Sequence, residues 1–255
     1  MRDLTLEVKG GVATLSINRP KSRNALALQT MAELDEALNA VLAGRARVLV
    51  VRGEGTKAFC AGGDLKELEQ IRSVEDAAAM ARRMRATLDR LPQLSIPVIA
   101  GLNGDALGGG AELAVACDFR VAASHARISF AQVTLGIMPA WGGTERLADL
   151  VGRGRALHLL LGGQAIAATD AWRVGLVEEV VQSEEFDKRL AEIAHFVAAA
   201  PPATVAGIKR SVDAVRPHRH PELAADATDV FASTWAHPAH WKALEVLEKR
   251  RQAKK

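Results

Sequence analysis

Apolar and polar residues alternate near the start of the chain, on both sides of a glycine pair. The segment LTLEVKGGVATLSI (4–17) therefore predicts a β-hairpin that turns at Gly10-Gly11. The spacing then changes to a helical one, with apolar residues at Leu28, Met31, Leu34, Leu38 and Val41. This repeat predicts an amphipathic helix over 26–42.

Two continuous apolar runs follow, and each is bounded by glycine. VLVVRGEG (48–55) and SIPVIAGLNG (95–104) have the pattern of strands that are buried on both faces. The first run leads through a predicted loop, TKAFCAGGD (56–64), into one long predicted helix over 65–91. After the second run, a helix is expected behind the glycines, with two further strands near 119–124 and 126–130.

The remainder of the chain is predominantly helical in pattern. We expect a helix–turn–helix over 146–163, a helix and a strand within 167–181, and a helix over 183–200. Pro201-Pro202 is the clearest break, and only helical patterns follow it. The sequence thus predicts an α/β fold with repeated ββα units in a core, residues 1–200, and a helical C-terminal region, residues 201–255.

Composition limits the class of protein. The chain has 255 residues, 49% of them hydrophobic and 25% charged, with a net charge of +3, and this balance indicates a globular protein without a strong nucleic-acid footprint. Two cysteines and no long apolar segment predict a cytoplasmic protein that does not enter a membrane. The basic ending LEKRRQAKK is interpreted as a solvated helix end, with nucleic-acid binding as the alternative.

Three consecutive glycines stand between a predicted strand and a predicted helix in DALGGGAE (105–112). The first N–H groups of a helix have no intrahelical partner, so glycines there would let a carbonyl oxygen approach and be stabilised as an oxyanion. The alternative is that the glycines only permit close helix–strand packing. FCAGGD (59–64) forms a second junction of the same kind. Neither cluster has the spacing of a nucleotide-binding loop.

Five segments together resemble the enoyl-CoA hydratase/isomerase (crotonase) family. They are RPKSRNAL (19–26), AFCAGGDLKEL (58–68), IAGLNGDALGGGAELAVACDFRVA (99–122), LGIMPAWGGTERL (135–147) and GLVEEVV (175–181). The resemblance implies a crotonase-like spiral of ββα units with a helical trimerisation region, and a homotrimer or hexamer. It implies an acyl-CoA substrate and neither a metal nor a further cofactor. The segments 103–120 and 135–147 are also similar to the ethylmalonyl-CoA decarboxylase-like branch.

The resemblance also assigns candidate roles. The N–H groups of Gly63 and Gly109 would form the oxyanion hole, and Glu112 would be the acid/base, although helix N-terminal charge complementarity is an alternative for this glutamate. Trp141 is either a wall of the acyl pocket or a core residue. The expected CoA-binding residues are Arg23, Ala25, Ala61, Asp64 and Leu65.

Gln132 occupies the position where family hydratases carry a second glutamate. A glutamine cannot serve as a base near neutral pH. Either Glu112 acts alone on a water that Gln132 orients, or the substrate supplies the chemistry by losing CO₂. The resemblance therefore implies hydration of a 2-enoyl-CoA to a 3-hydroxyacyl-CoA, with decarboxylation or isomerisation as alternatives, and an RNA-binding member as the non-enzymatic one. Ala140 argues against dienoyl isomerase and dehalogenase activity, which use an aspartate there.

The aromatic residues of the C-terminal region can pack in two ways. Phe231, Trp235 and Trp241 suit an interface with a neighbouring subunit, or they close the core of their own chain. Histidines also concentrate here, at positions 218, 220, 237 and 240, but no cysteine or carboxylate pattern completes a metal site with them.

Overall fold

A computed structural model describes residues 1–214 and 221–253 of the chain. The strands that it contains are β1 (Leu4–Lys9), β2 (Val12–Ile17), β3 (Val48–Gly53), β4 (Ala58–Cys60), β5 (Val98–Leu102), β6 (Asp105–Leu107), β7 (Phe119–Ala123), β8 (Arg127–Ser129), β9 (Ile166–Ala167) and β10 (Glu179–Val181).

Helices fill most of the remaining chain. They are α1 (Leu28–Ala43), α2 (Leu65–Leu68), α3 (Val74–Gln93), α4 (Gly109–Ala116), α5 (Gly143–Val151), α6 (Arg153–Gly162), α7 (Ala168–Arg173), α8 (Phe186–Ala199), α9 (Pro202–Asp213), α10 (Pro221–Ala236) and α11 (Pro238–Gln252). Two short 3₁₀ turns lie at Pro20–Ser22 and Ala131–Leu135.

The strands form two sheets, and the chain alternates between them. One sheet has the order β1-β2-β3-β5-β7-β10 and the other has the order β4-β6-β8-β9. Each successive ββα unit gives its first strand to the large sheet and its second strand to the small one, as in β3/β4, β5/β6 and β7/β8. The predicted α/β class and its repeated ββα units are therefore confirmed.

Strand β3 explains why its sequence is apolar without interruption. Leu49 and Val51 face the main core with α1 and α3, whereas Val48 and Val50 face a second apolar cluster with Phe186 and Leu190 of α8. Both faces of the large sheet are covered at this strand, so both sets of alternating side chains must be apolar.

Three short strands were not expected from the sequence. The segment 56–64 was predicted to be a loop, but it contains β4; likewise, β6 precedes the glycines and β9 follows α6. These strands have two or three residues, too few for an alternating pattern to be visible. They form because they pair with one another in the small sheet, β4 with β6, β6 with β8 and β8 with β9.

The single long helix predicted over 65–91 was also wrong. Two helices, α2 and α3, are separated by residues 69–73. The Ser73 hydroxyl accepts a hydrogen bond from the Asp76 N–H at 3.0 Å, which caps α3 and fixes its start. The break between the helices allows Leu68 of α2 to pack against Gly63, in the glycine junction at 59–64. Helix α3 packs along α10.

The C-terminal helices pack against their own chain. Phe231 and Trp235 of α10 are buried in the main core, and the Trp235 indole donates to the Ile71 carbonyl at 2.8 Å. His240 of α11 donates from Nδ1 to the Leu135 carbonyl at 2.6 Å. The predicted division into a core, residues 1–200, and a helical C-terminal region, residues 201–255, remains a prediction. Side chains of α10 belong to the same main core as the first region. His218 lies outside the described residues, as does His220.

Among residues 1–214 and 221–253, no single helix is long and apolar enough to cross a bilayer. Helices α8 and α9 meet both criteria only when they are counted together, and a bend of 103° separates them.

The first strand is fixed to α1 by one buried carboxylate. Glu33 accepts the N–H groups of Arg2 and Asp3 at 2.8 Å each and of Leu4 at 3.0 Å, together with the Gln29 amide at 3.0 Å. Burial raises the pKa of Glu33, but the hydrogen bonds lower it by more than burial raises it. The net pKa is about 2, below the ordinary value of 4.5.

We expect Glu33→Gln to lower the free energy of unfolding at pH 7 by about 1–3 kcal/mol, because charge-assisted hydrogen bonds become neutral ones. The native pKa lies below that of an unfolded glutamate, so this stabilisation is present above pH 4.5 and is lost as the pH falls toward 2. Urea unfolding of both proteins between pH 7 and 3 measures the difference. The control is Glu36→Gln at an exposed position of the same helix. Equal losses for both variants, or a constant difference across this pH range, would contradict the assignment.

Candidate active site

A cavity of about 260 Å³ lies between the two glycine junctions and the C-terminal helices. One side is formed by residues 61–63 and 107–109, and the floor carries Glu112 and Gln132. The other side is apolar. Its lining side chains are Leu65, Leu68, Met80, Leu107, Leu135, Ile137, Met138, Trp141, Phe231, Trp235 and Leu247.

The three glycines at 108–110 are each required for a different reason. Gly108 has φ 54° and ψ −119°, a backbone conformation that is essentially restricted to glycine. A Cβ on Gly109 would overlap the ring of Trp141, and a Cβ on Gly110 would overlap the carbonyl of Cys60. Close packing therefore explains Gly110, whereas Gly108 and Gly109 shape the cavity wall.

Two backbone N–H groups on this wall have no acceptor within the part of the chain that the structure describes. They belong to Gly63 and Gly109, and both residues line the cavity. Gly109 is the first residue of α4, so its N–H is one of those that the helix leaves unpaired. The two segments touch: a Cβ on Gly62 would lie 3.0 Å from the Gly109 nitrogen. This wall can donate hydrogen bonds to an oxygen atom of a ligand.

Glu112 is 2% exposed and its carboxylate is held by the turn before α5. Oε1 accepts the Trp141 N–H at 2.8 Å and the Gly143 N–H at 3.0 Å, and Oε2 accepts the Gln132 amide at 2.9 Å. A Cβ on Gly143 would overlap Glu112 Cγ, so the glycine lets the carboxylate reach the start of α5.

Opposing effects bring the pKa of Glu112 close to neutrality. Burial raises it, and the two backbone N–H groups, the Arg146 charge and the Gln132 amide lower it, with a net value of about 7. The side chain can therefore accept and return a proton near neutral pH, which is what general acid–base catalysis requires.

Gln132 has one polar atom without a partner. Its residue is 6% exposed, its Nε2 donates to Glu112, and its Oε1 has no hydrogen bond within the described residues. A buried amide oxygen without a partner is costly. A water or ligand hydroxyl in the cavity would satisfy it.

Most of the predicted site residues come together at the cavity. Its lining includes Ala61, Gly63, Leu65, Gly109, Glu112, Gln132 and Trp141. Trp141 is thus both a wall of the cavity and part of the main core.

Three predicted binding residues lie outside the lining. Asp64 pairs with Arg19 at 2.9 Å, and the Arg23 guanidinium pairs with Asp105 at 2.9 Å. Ala25 is buried. The Ala61 N–H donates to the Arg23 carbonyl at 3.1 Å, so this loop supports the cavity wall; its contact with CoA remains a prediction.

Sequence reasoning did not identify two parts of the site. Met80 and Leu247 line the cavity from helices whose inward faces are not distinguishable by composition. Arg146 lies behind Glu112 and is 4% exposed, although a charged residue in an amphipathic helix is ordinarily read as solvated. The glycine pair at 142–143 was the available signal, since it permits close approach to the start of that helix.

Neither cysteine has the features of a nucleophile. Burial raises the pKa of both Cys60 and Cys117 to about 12, so both thiols stay protonated. Within residues 1–214 and 221–253, no group of three or more histidine, cysteine or carboxylate side chains is arranged to hold a metal ion.

Known proteins are similar to this chain in sequence and in fold. The profile of the enoyl-CoA hydratase/isomerase family matches residues 7–254. A short-chain-enoyl-CoA hydratase of Clostridium acetobutylicum is 38% identical over 214 residues, which cover 84% of this chain and 82% of the relative. An ethylmalonyl-CoA decarboxylase of Homo sapiens is 32% identical over 238 residues, which cover 92% and 77% of the respective chains.

The solved structures agree with the sequence relatives. An enoyl-CoA hydratase/isomerase from Xanthobacter autotrophicus Py2 has a TM-score of 0.89 at 27% identity, and the match covers 97% of this chain and 93% of that one. The resemblance drawn from the five motifs is therefore confirmed, for the family and for the similarity to the decarboxylase-like branch.

We expect Gly109→Ala to destabilise the protein by about 1–3 kcal/mol through overlap with Trp141. In a Trp141→Leu background the same substitution should cost much less, because the overlapping ring atoms are gone. Gly110→Ala is the matched control, since it meets the Cys60 carbonyl in either background. Denaturant unfolding of the four-protein cycle measures the coupling, and an additive result at Gly109 would contradict the packing described.

Proposed function

The chain belongs to the enoyl-CoA hydratase/isomerase family, and on that premise we propose that it adds water to a short-chain 2-enoyl-CoA and releases the 3-hydroxyacyl-CoA. The observation that carries the proposal is the position of Glu112. This carboxyl group, with a pKa of about 7, shares one apolar cavity with two glycine N–H groups that find no acceptor among the described residues.

The N–H groups of Gly63 and Gly109 hold the thioester oxygen. During addition of water, the C=C electron pair moves onto this oxygen and forms an enolate, whose negative charge the two donors stabilise. A preorganised donor of this kind contributes about 3–4 kcal/mol to the transition state. Because the backbone N–H is the donor, this function at position 63 does not depend on a side chain.

Glu112 alone can complete the proton transfers. Its carboxylate accepts a proton from water as the water oxygen bonds to C3 of the substrate. The resulting carboxylic acid gives that proton to C2 as the enolate collapses to the thioester. Both protons of the water are accounted for: one is on C2 and the other stays on the new C3 hydroxyl, and Glu112 is ionised again.

Gln132 positions the water in this scheme. Its Nε2 donates to Glu112 at 2.9 Å, and its unpartnered Oε1 accepts a hydrogen bond from the water that Glu112 deprotonates. An amide can hold the water from one side while the carboxylate takes its proton from the other. The second glutamate of other hydratases is then not needed as a base.

The cavity walls favour a short, uncharged acyl group. Its lining residues include no lysine, arginine or histidine, and its volume is about 260 Å³. An apolar chain of a few carbons gains from burial there, at about 0.8 kcal/mol per CH₂. The catalytic groups are supplied by Glu112, the backbone and water, so we propose that no metal or organic cofactor takes part.

Decarboxylation is a second candidate, because Gln132 leaves Glu112 as the one carboxyl group among the described residues that line the cavity. When an α-carboxylated acyl-CoA breaks its C–CO₂ bond, the electron pair forms the same enolate and CO₂ leaves. Protonated Glu112 then supplies the proton to the α-carbon. No base is required, and the donor pair at Gly63 and Gly109 has the same role.

The self-association expected from the resemblance is part of this proposal. Large apolar side chains remain exposed in the single chain, among them Leu161, Trp172 and Phe196. They offer surface for contact between subunits, whereas Phe231 and Trp235 are already buried in their own chain. Light scattering distinguishes the expected trimer or hexamer from a monomer.

Incubation with crotonyl-CoA and, separately, with ethylmalonyl-CoA tests the reaction. We expect a mass gain of one water on crotonyl-CoA. Glu112→Gln should lower its rate about 10²–10⁴-fold, because the proton acceptor is lost and the shape is kept. Glu69→Gln, at an exposed position, is the matched control and should retain full rate. Loss of CO₂ from ethylmalonyl-CoA without hydration would favour the second candidate instead.

The pH dependence separates the two reactions by sign. Hydration needs the Glu112 carboxylate, so kcat/KM should fall about tenfold per pH unit below a pKa of about 7 and level off above it. Decarboxylation needs the protonated form, so its rate should fall as the pH rises above about 7. Measurement of kcat/KM from pH 5 to 9 shows which limb is present. A flat profile would exclude Glu112 from both roles.

A further inference from the structure

Arg146 lies on the far side of the turn that holds Glu112. Its Nη1 donates to the Trp141 carbonyl at 2.6 Å, and the N–H of the same Trp141 donates to Glu112 at 2.8 Å. The backbone of Trp141 therefore links the two charged groups: its C=O accepts from the guanidinium, and its N–H donates to the carboxylate.

The glycine pair at 142–143 allows both charged groups to approach the same turn. A Cβ on Gly142 would overlap Nη1 of Arg146, and a Cβ on Gly143 would overlap Cγ of Glu112. The cation and the carboxylate thus approach opposite sides of one turn that has no side-chain bulk. Substitution at either glycine would push the corresponding charged group away.

Arg146 is in turn fixed by α3. Its Nη2 pairs with Asp89, which also lies 3.6 Å from Arg85, and Arg85 pairs with Glu145. Arg146 is 4% exposed, so its charge is poorly screened by solvent and acts strongly on its surroundings. Asp89 offsets part of that charge.

We propose that Arg146 is a positioning residue for Glu112: through the Trp141–Gly143 turn it fixes the carboxylate in the cavity and favours its anionic form. The proposal rests on the proposed function of Glu112 as the proton-transfer group. It adds that this function depends on a guanidinium that lies outside the lining of the cavity.

Other charged groups lie on the elements around α4, but they are bonded elsewhere. Asp105 of β6 pairs with Arg23 and Arg127, and Arg120 of β7 pairs with Glu178. The thiol of Cys60 on β4 is neutral, with a pKa of about 12. Among the described residues, the positive charge of Arg146 is the one that lowers the pKa of Glu112.

The decisive test is a direct titration of Glu112 in the free protein. The carboxyl carbons of all glutamates are labelled with ¹³C, the Glu112 resonance is assigned as the one lost in Glu112→Gln, and its pKa is read from the shift with pH. Arg146→Met should raise this pKa by about one unit or more, since an adjacent opposite charge lowers a carboxyl pKa by about 1–3 units. Arg146→Lys should restore part of the shift.

Two further variants separate electrostatics from loosened packing. Arg85→Met removes a neighbouring buried guanidinium that pairs with Glu145 and makes no hydrogen bond to Trp141 within the described residues, and it should leave the pKa of Glu112 almost unchanged. Asp89→Asn removes the charge that offsets Arg146, and it should lower the pKa of Glu112. This variant also keeps the test available if Arg146→Met does not fold. If Arg146 had a purely structural role, Arg146→Met, Arg85→Met and Asp89→Asn would all shift the pKa of Glu112 in the same direction.

Equal shifts in Arg146→Met and Arg85→Met would overturn the proposal, as would an upward shift in Asp89→Asn. The titration uses no substrate, so it is independent of the reaction. If the shifts appear as expected but neither crotonyl-CoA nor ethylmalonyl-CoA is converted, the proposed function fails and the Arg146 assignment stands. If the protein is active, the acid limb of kcat/KM should move by the same amount as the titration.

Discussion

The burial of one carboxylate governs the architecture around the cavity. Glu112 is 2% exposed on a helix that is otherwise made of glycine and apolar residues, and an unpaired charge there would be very costly. The chain offsets this cost with two N–H groups at the start of α5, one side-chain amide and the Arg146 charge. Because these groups come from different segments, α4, α5 and the 131–135 turn must pack in one arrangement. The same balance brings the pKa of Glu112 near neutrality, where a proton can move in either direction.

Glycine is the second element of the arrangement, and its uses differ from one position to the next. Gly108 supplies a backbone conformation, Gly109 makes room for Trp141, and Gly110 lets α4 approach the Cys60 carbonyl. Gly109 lines the cavity, and its N–H has no acceptor within the described residues. The sequence presented oxyanion binding and close packing as alternatives for these three residues. Close packing accounts for Gly110, and the proposed binding function would use the N–H of Gly109.

Long elements were predictable because their patterns are long enough to see. The hairpin, α1 and the buried strands β3 and β5 followed from alternation, helical spacing and apolar runs. The two- and three-residue strands of the small sheet depend on partners that are remote in sequence, and no local pattern reveals them. The same limit applies to Phe231 and Trp235, whose composition suits either a subunit interface or the core that they occupy. Arg146 was missed because its burial follows from ion pairing with α3, a helix far from it in the sequence.

The proposed reaction requires that the N–H groups of Gly63 and Gly109 receive the thioester oxygen beside Glu112. Isotope-edited infrared spectroscopy measures this directly: crotonyl-CoA labelled with ¹³C at the thioester carbonyl is bound to the Glu112→Gln protein, which should hold it unreacted. We expect the carbonyl stretch to shift to lower frequency than in water, because two preorganised donors polarise the C=O bond. A carbonyl frequency equal to that of the free thioester in water, with the ligand shown to be bound, would contradict the claim.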